Sequence, residues 1–219
     1  MNAVNNLQPA NAAAAVRLCE CIRSFASRST NPVLELLEPS GHFRENQKLP
    51  ADFLRFGGND WRSYYHCHRA SHRAAGEHGH FHLFTRIPQS QIEAPGSWTH
   101  VISLAMDIEG QPLRWFTVNR WVTDSVWLDT HQLVPLLDGL QTLPEFDLVE
   151  RWLVAMLETY RDEIVSLLLL RDARVQVLAA NRCRLDVLED RAFNRLAEER
   201  IDLLTKLHRV LGREVPPGS

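Results

Sequence analysis

Hydrophobic positions along the chain change period twice. From Asn11 the apolar residues Ala12, Ala15, Val16, Cys19, Ile22 and Phe25 recur at spacings of three and four, with Arg17, Glu20 and Arg23 between them. That is the pattern of an amphipathic helix over residues 11–30, stopped by Asn31-Pro32. A short apolar turn from Val33 to Leu37 leads to Pro39-Ser40-Gly41, and Pro50, Asp52 and Gly57-Gly58 mark residues 42–58 as irregular. Period two then takes over in four runs, Tyr64 to His68, His78 to Phe84, Trp98 to Asp107 and Leu113 to Asn119, each read as a strand. Glu109-Gly110-Gln111-Pro112 supplies the turn between the last two. Thr142 and Glu145, at capping-box spacing around Pro144, begin the next helical stretch. Its stripe of Phe146, Val149, Trp152, Leu153, Met156, Leu157, Tyr160, Ile164 and Leu167 predicts a helix from Leu143 to Leu170. Two or three further helices are expected between Arg171 and Leu211, where neither Gly nor Pro intervenes.

Strands and helices are therefore segregated along the sequence, which predicts an α+β fold and disfavours a parallel doubly wound sheet. The expected architecture is one domain over residues 1–219. An N-terminal helix (11–30) and a helical C-terminal half (142–212) pack on one face of an antiparallel four-stranded, histidine-rich sheet (60–122).

The stretch from Tyr64 to Phe84 holds six of the ten histidines. Residues 69–77, with Ser71 and Gly76, read as the loop of a hairpin. If its strands close near His68 and His78, then His66 opposes His80, and alternation sends Tyr64, His66, His68, His78, His80 and His82 to one face. Tyr65, Cys67, Phe81 and Leu83 go to the other, an apolar set suited to a core. A slip of one residue would bury the imidazoles and expose Phe81 and Leu83, so the pattern specifies the register. His100, on the third predicted strand with Trp98 and Ile102, completes the cluster if that strand lies beside the second. His42 reads as a loop histidine, and Asp129 and His131 beside Trp121 and Trp127 stand where a pocket mouth would form beyond the fourth strand, the alternative for the two tryptophans being a cap on the core.

Composition narrows the classes. Net charge is −3, the isoelectric point is about 6.4, and no basic excess points to nucleic acid or an anionic membrane. The start of the chain lacks a cationic segment followed by a long apolar run, and Leu167 to Leu170 is too short to span a bilayer, so a cytoplasmic protein with no membrane partner is expected. Cysteines 19, 21, 67 and 183 form no CxxC pair, and reduced thiols are expected.

Two stretches, EHGHFHLF at Glu77 to Phe84 and PLRWFTVNRWVT at Pro112 to Thr123, resemble an uncharacterised bacterial family classed as a domain of unknown function. The resemblance runs from YYHCH to LEDR at Leu188 to Arg191 and implies one domain, without lending an activity. The histidines themselves predict a transition-metal site for zinc, copper, iron or nickel, since opposed His-x-His pairs on a rigid hairpin supply imidazoles at chelating distance. His66, His68 and His80 are the first ligands, with His78 or His82 the fourth. Glu77 would orient an imidazole or act as a general base, and His80 is the other candidate catalytic residue. The residues depart from a standard cupin site, because Arg86 and Ile87 stand where its glutamate should follow His82, and His72 and Arg73 where it should follow His68. HGHFHLF also resembles, locally, the histidine triad of nucleotide hydrolases and transferases. That resemblance implies His80 as nucleophile, His78 and His82 orienting it, and Arg69, Arg73 or Arg86 on phosphate, with no metal. The third expectation is a non-catalytic histidine face that binds a ligand or partner.

Overall fold

The structure, a computed structural model, describes residues 4–37, 42–58, 60–69, 71, 73–88, 97–140, 146–181 and 186–212. Its centre is an antiparallel sheet whose strands neighbour one another in chain order. They are β1 (Leu49–Phe56), β2 (Trp61–Cys67), β3 (Gly79–Arg86), β4 (Trp98–Met106), β5 (Pro112–Val118) and β6 (Arg195–Arg200). The helices are α1 (Val4–Ser27), α2 (Arg120–Thr123), α3 (Thr130–Asp138), α4 (Leu148–Thr159), α5 (Arg161–Ala180) and α6 (Leu203–Leu211).

The fold is α+β as expected, but the sheet has six strands among the described residues, not four. Both additions are edge strands, and each lacks the alternation that marks a half-buried strand. β1 carries Pro50 and Asp52, and its pairing with β2 shifts register between Leu49 and Leu54, where Phe53 takes a φ of 63°. A proline is tolerated there because an edge strand leaves one side of its backbone unpaired. β6 reads RLAEER, four charges among six residues and good helix formers besides, so residues 142–212 are not helical throughout as expected. The single helix expected from Leu143 to Leu170 is two, α4 and α5, broken at Tyr160, whose ψ is 16°. Pro39-Ser40-Gly41, His72 and the cap expected at Thr142 and Glu145 lie outside the described residues.

The main core lies on one face of the sheet, and a smaller apolar cluster of Ala105, Phe116 and Val118 lies on the other. Tyr65, Phe81, Leu83, Ile102, Leu104 and Trp115 share a buried core with Ala15, Leu18 and Phe25 of α1, Trp152 of α4, and Ile164 and Leu167 of α5. The Phe81 and Trp152 rings stand 6.0 Å apart, seating α4 on the sheet. Among the described residues no helix is long and apolar enough to cross a membrane.

Candidate metal centre

The histidine face of the sheet is built in rows. Pairing runs His66–His80–Ala105–Arg114 across β2 to β5, and beside it Tyr64–His82–Ser103–Phe116. The hairpin register is the expected one, with His66 opposite His80. Ring nitrogens of His66, His80 and His82 all lie within 4.8 Å of one another. His66 Nε2 and His80 Nε2 are 2.8 Å apart, in hydrogen-bond contact. A tetrahedral ion with bonds of about 2.0 to 2.1 Å needs its ligand nitrogens about 3.3 Å apart, so this pair has to open by only about half an ångström.

Each of the two buried imidazoles has its far nitrogen held. His80 Nδ1 is 2.9 Å from Glu77 Oε1, and an ionised carboxylate only accepts, so the network assigns the proton to Nδ1 and leaves Nε2 facing His66. His66 then donates from Nε2, and a metal on that nitrogen would require the His66 proton to move to Nδ1. His82 Nδ1 is 2.9 Å from Ser103 Oγ and 3.1 Å from His100 Nε2, which leaves Nε2 of His82 as its ligand atom. Metal-binding histidines ordinarily have the second nitrogen fixed in this way.

Glu77 is the electrostatic hinge. Its side chain is 1% exposed and pairs with His80, Arg114 and, at 3.6 Å, Arg195. Burial alone would raise its carboxyl, but the His80 N–H and the two guanidiniums outweigh that and hold it below the ordinary glutamate value. Glu77 is thus occupied with orienting His80. His66, His82 and His100 shift down as well, which for an imidazole favours the uncharged form. Burial, followed by the neighbouring His80 and His68 rings, pushes His66 down to about 3. Burial and then Arg171 push His100 down to about 3, and burial drives His82 well below its ordinary value. At neutral pH these rings are uncharged, with lone pairs available to an ion.

The other expected residues fall in different places. His68 stands at the mouth, its ring 4.5 Å from that of His66 and 5.1 Å from that of His80, with Nδ1 3.0 Å from Asn46 Oδ1. His78 does not share the face. Its Nδ1 is 2.8 Å from the Tyr65 hydroxyl, and its ring stacks on Tyr65 and meets Phe43 edge-on, so it belongs to the packed side. Gly79 explains the turn. A Cβ there would lie 2.6 Å from the Tyr65 hydroxyl oxygen, so only glycine lets Tyr65 cross to His78. The triad-like run therefore does not present its three histidines together. Arg69 pairs with Glu45, Arg73 with the His68 carbonyl and Arg86 with Asp60, and none lines the histidine cleft. His42 and His131 are exposed and stand apart from it.

His100 joins the site through an irregularity. β4 pairs Ile102 with Leu83 but His100 with Phe84, so Val101 is an extra residue. Val101 and Ile102 both enter the core, and His100 turns to the histidine face, opposite to Ile102 rather than with it as expected. A similar shift on β6, between Thr117 and Val118 of the partner strand, brings Arg195 opposite Val118. Sequence reasoning assigned Arg195 to a helix and missed it. A cleft of about 410 Å3 is lined by His66, His68, His80 and His82 with Tyr64, Phe116, Val118, Trp121, Val122, Asn194 and Arg195, while His100 stands behind His82. The NRWVT segment holds that wall in place: Asn119, fully buried, donates to the Val187 carbonyl, and Trp121 Nε1 to that of Phe193. Trp127 instead lies under Arg171, 4.2 Å from its guanidinium carbon.

A family model described as domain of unknown function DUF6969 matches residues 11–201, and the chain belongs to that family. Comparison with curated proteins finds no match, and neither does comparison with solved structures.

Proposed function

We propose that this member of the DUF6969 family binds a transition metal ion through ring nitrogens of His66, His80 and His82. The observation that carries the reading is the preorganised trio: three imidazole nitrogens within 4.8 Å, two of them on rings whose other nitrogen is fixed by Glu77 or Ser103. Three neutral imidazoles suit zinc first, with copper, iron or nickel the other candidates, and three protein ligands leave a coordination position open. That position faces the cleft, with His68 the nearest further imidazole. A metal held there would supply Lewis-acid chemistry to a bound small molecule. Glu77 serves as the carboxylate that orients His80, since its oxygens are already engaged. Zinc titration of protein purified without a metal-affinity tag, together with elemental analysis, tests the proposal. One equivalent should bind, His80→Ala should abolish binding, and His78→Ala should leave the affinity within about twofold, because it removes neither a ligand nor a supporting contact, the loss of which lowers affinity by roughly 10 to 100-fold. Equal effects of the two substitutions would refute it.

A further inference from the structure

We infer that the histidine cleft binds a small carboxylate with an apolar, aryl-sized body, the carboxylate lying between Arg195 and the metal position. This rests on the metal-binding reading and goes further by naming the ligand class.

Arg195 is the one cation lining the histidine cleft among the described residues, and it also lines the adjoining cleft with Arg114 and Arg200. Its guanidinium carbon lies over the Phe116 ring, 4.8 Å from the centre, which holds the group against the cleft wall. A guanidinium has five N–H donors. The carboxylate contacts of Arg195 are long, 3.5 Å to Glu198 and 3.6 Å to Glu77, against about 2.7 to 2.9 Å for a close charge-assisted bond. Glu77 is taken up by Arg114 and His80, and the Glu198 side chain is 55% exposed, so neither neutralises Arg195 tightly. The fork therefore has donors to spare on a partly exposed side chain beside three uncharged imidazoles.

The remaining walls decide which anion. Tyr64, Phe116, Val118, Trp121 and Val122 are apolar or aromatic, and Asn194 adds a polar group. Inorganic phosphate would leave charged oxygens against hydrocarbon, where they lose hydration without gaining partners. A carboxylate has about four lone-pair sites on two oxygens, enough to meet the Arg195 fork and the metal position together, and turns an apolar body toward those side chains. The volume of about 410 Å3 lies within the usual range for small-molecule sites and suits a ligand the size of 3-phenylpropanoate.

Cobalt(II) replaces zinc in such sites and reports ligand exchange through its visible spectrum. Cobalt-loaded protein should show a saturable spectral change with benzoate and 3-phenylpropanoate, and none with 3-phenylpropanol. Inorganic phosphate should bind at least tenfold more weakly than 3-phenylpropanoate. On protein saturated with cobalt, Arg195→Ala should weaken carboxylate binding at least tenfold, and Arg195→Lys should restore part of it. Phosphate binding as tight as 3-phenylpropanoate, or an unaltered carboxylate affinity in Arg195→Ala, overturns the inference while the metal reading stands. Failure to take up cobalt overturns both.

Discussion

Acidification of the metal-free protein is the sharpest physical test of the buried imidazoles. His66 and His100 are each held down to about 3 in the folded chain, whereas a histidine in the unfolded chain titrates near 6.5. Above that value neither state carries the proton and the linkage vanishes. Below it the unfolded chain binds protons that the folded chain refuses, so stability falls as pH falls, through the window from 6.5 down to about 3. Each such proton changes stability by about 1.4 kcal/mol per pH unit, so the two residues together remove about 5 kcal/mol between pH 6.5 and 4.5. His82, shifted the same way, adds to the loss. Domains are stable by about 5 to 15 kcal/mol in all, so the change consumes much of the margin. For a chain of this size it corresponds to a fall in Tm of roughly 10 to 20 °C. Thermal denaturation followed by circular dichroism at pH 7.5, 6.5, 5.5 and 4.5 measures it directly. His100→Gln, which removes one titrating group, should flatten the dependence by about 1.4 kcal/mol per unit. A melting temperature constant within 2 °C from pH 6.5 to 4.5 would show that the rings are hydrated and protonated in the folded state, and the argument from burial would fail.

Two further substitutions probe the support of the site. Glu77→Gln keeps the shape but weakens the hold on His80 Nδ1 and leaves Arg114 short of its partner; zinc affinity measured by competition with a chromophoric chelator should drop about 10 to 100-fold, and an unchanged constant would remove Glu77 from the site. Gly79→Ala places a methyl against the Tyr65 hydroxyl and the His66 backbone, and should cost about 1 to 3 kcal/mol in urea unfolding; a neutral effect would mean that Tyr65 does not cross there.

The parts legible in the sequence are those where alternation meets a one-sided burial requirement. The hairpin is the clear case, because Tyr65, Phe81 and Leu83 must go inward and that forces His66, His80 and His82 outward in register. The same reasoning failed for His78, one residue before β3 begins, since alternation holds only while the chain is extended and paired. The neighbouring glycine was the available signal: in a strand it marks a close approach, here by Tyr65. β1 and β6 escaped because edge strands are selected for what keeps other chains from pairing with them, namely proline, charge and irregular register. The RLAEER of β6 reads as helix by propensity, and its pairing with β5 overrides that preference.

What alternation could not reveal is also what assembles the site. In a regular β4 the residues facing the core would run Met106, Leu104, Ile102 and then His100; the extra Val101 breaks that series and delivers His100 to His82 and Ser103. In a regular β6, Leu196 would oppose Val118; the register shift puts Arg195 there, at the cleft. A bulge disrupts the ladder locally, and its recurrence next to one cluster of imidazoles in two separate strands is not what packing alone requires. The core on the opposite face would be served as well by regular strands. Two of the sheet's four register shifts, those at Val101 and at Arg195, bring a side chain to the histidine face, and they tie His100 and Arg195 to the same centre as His66, His80 and His82.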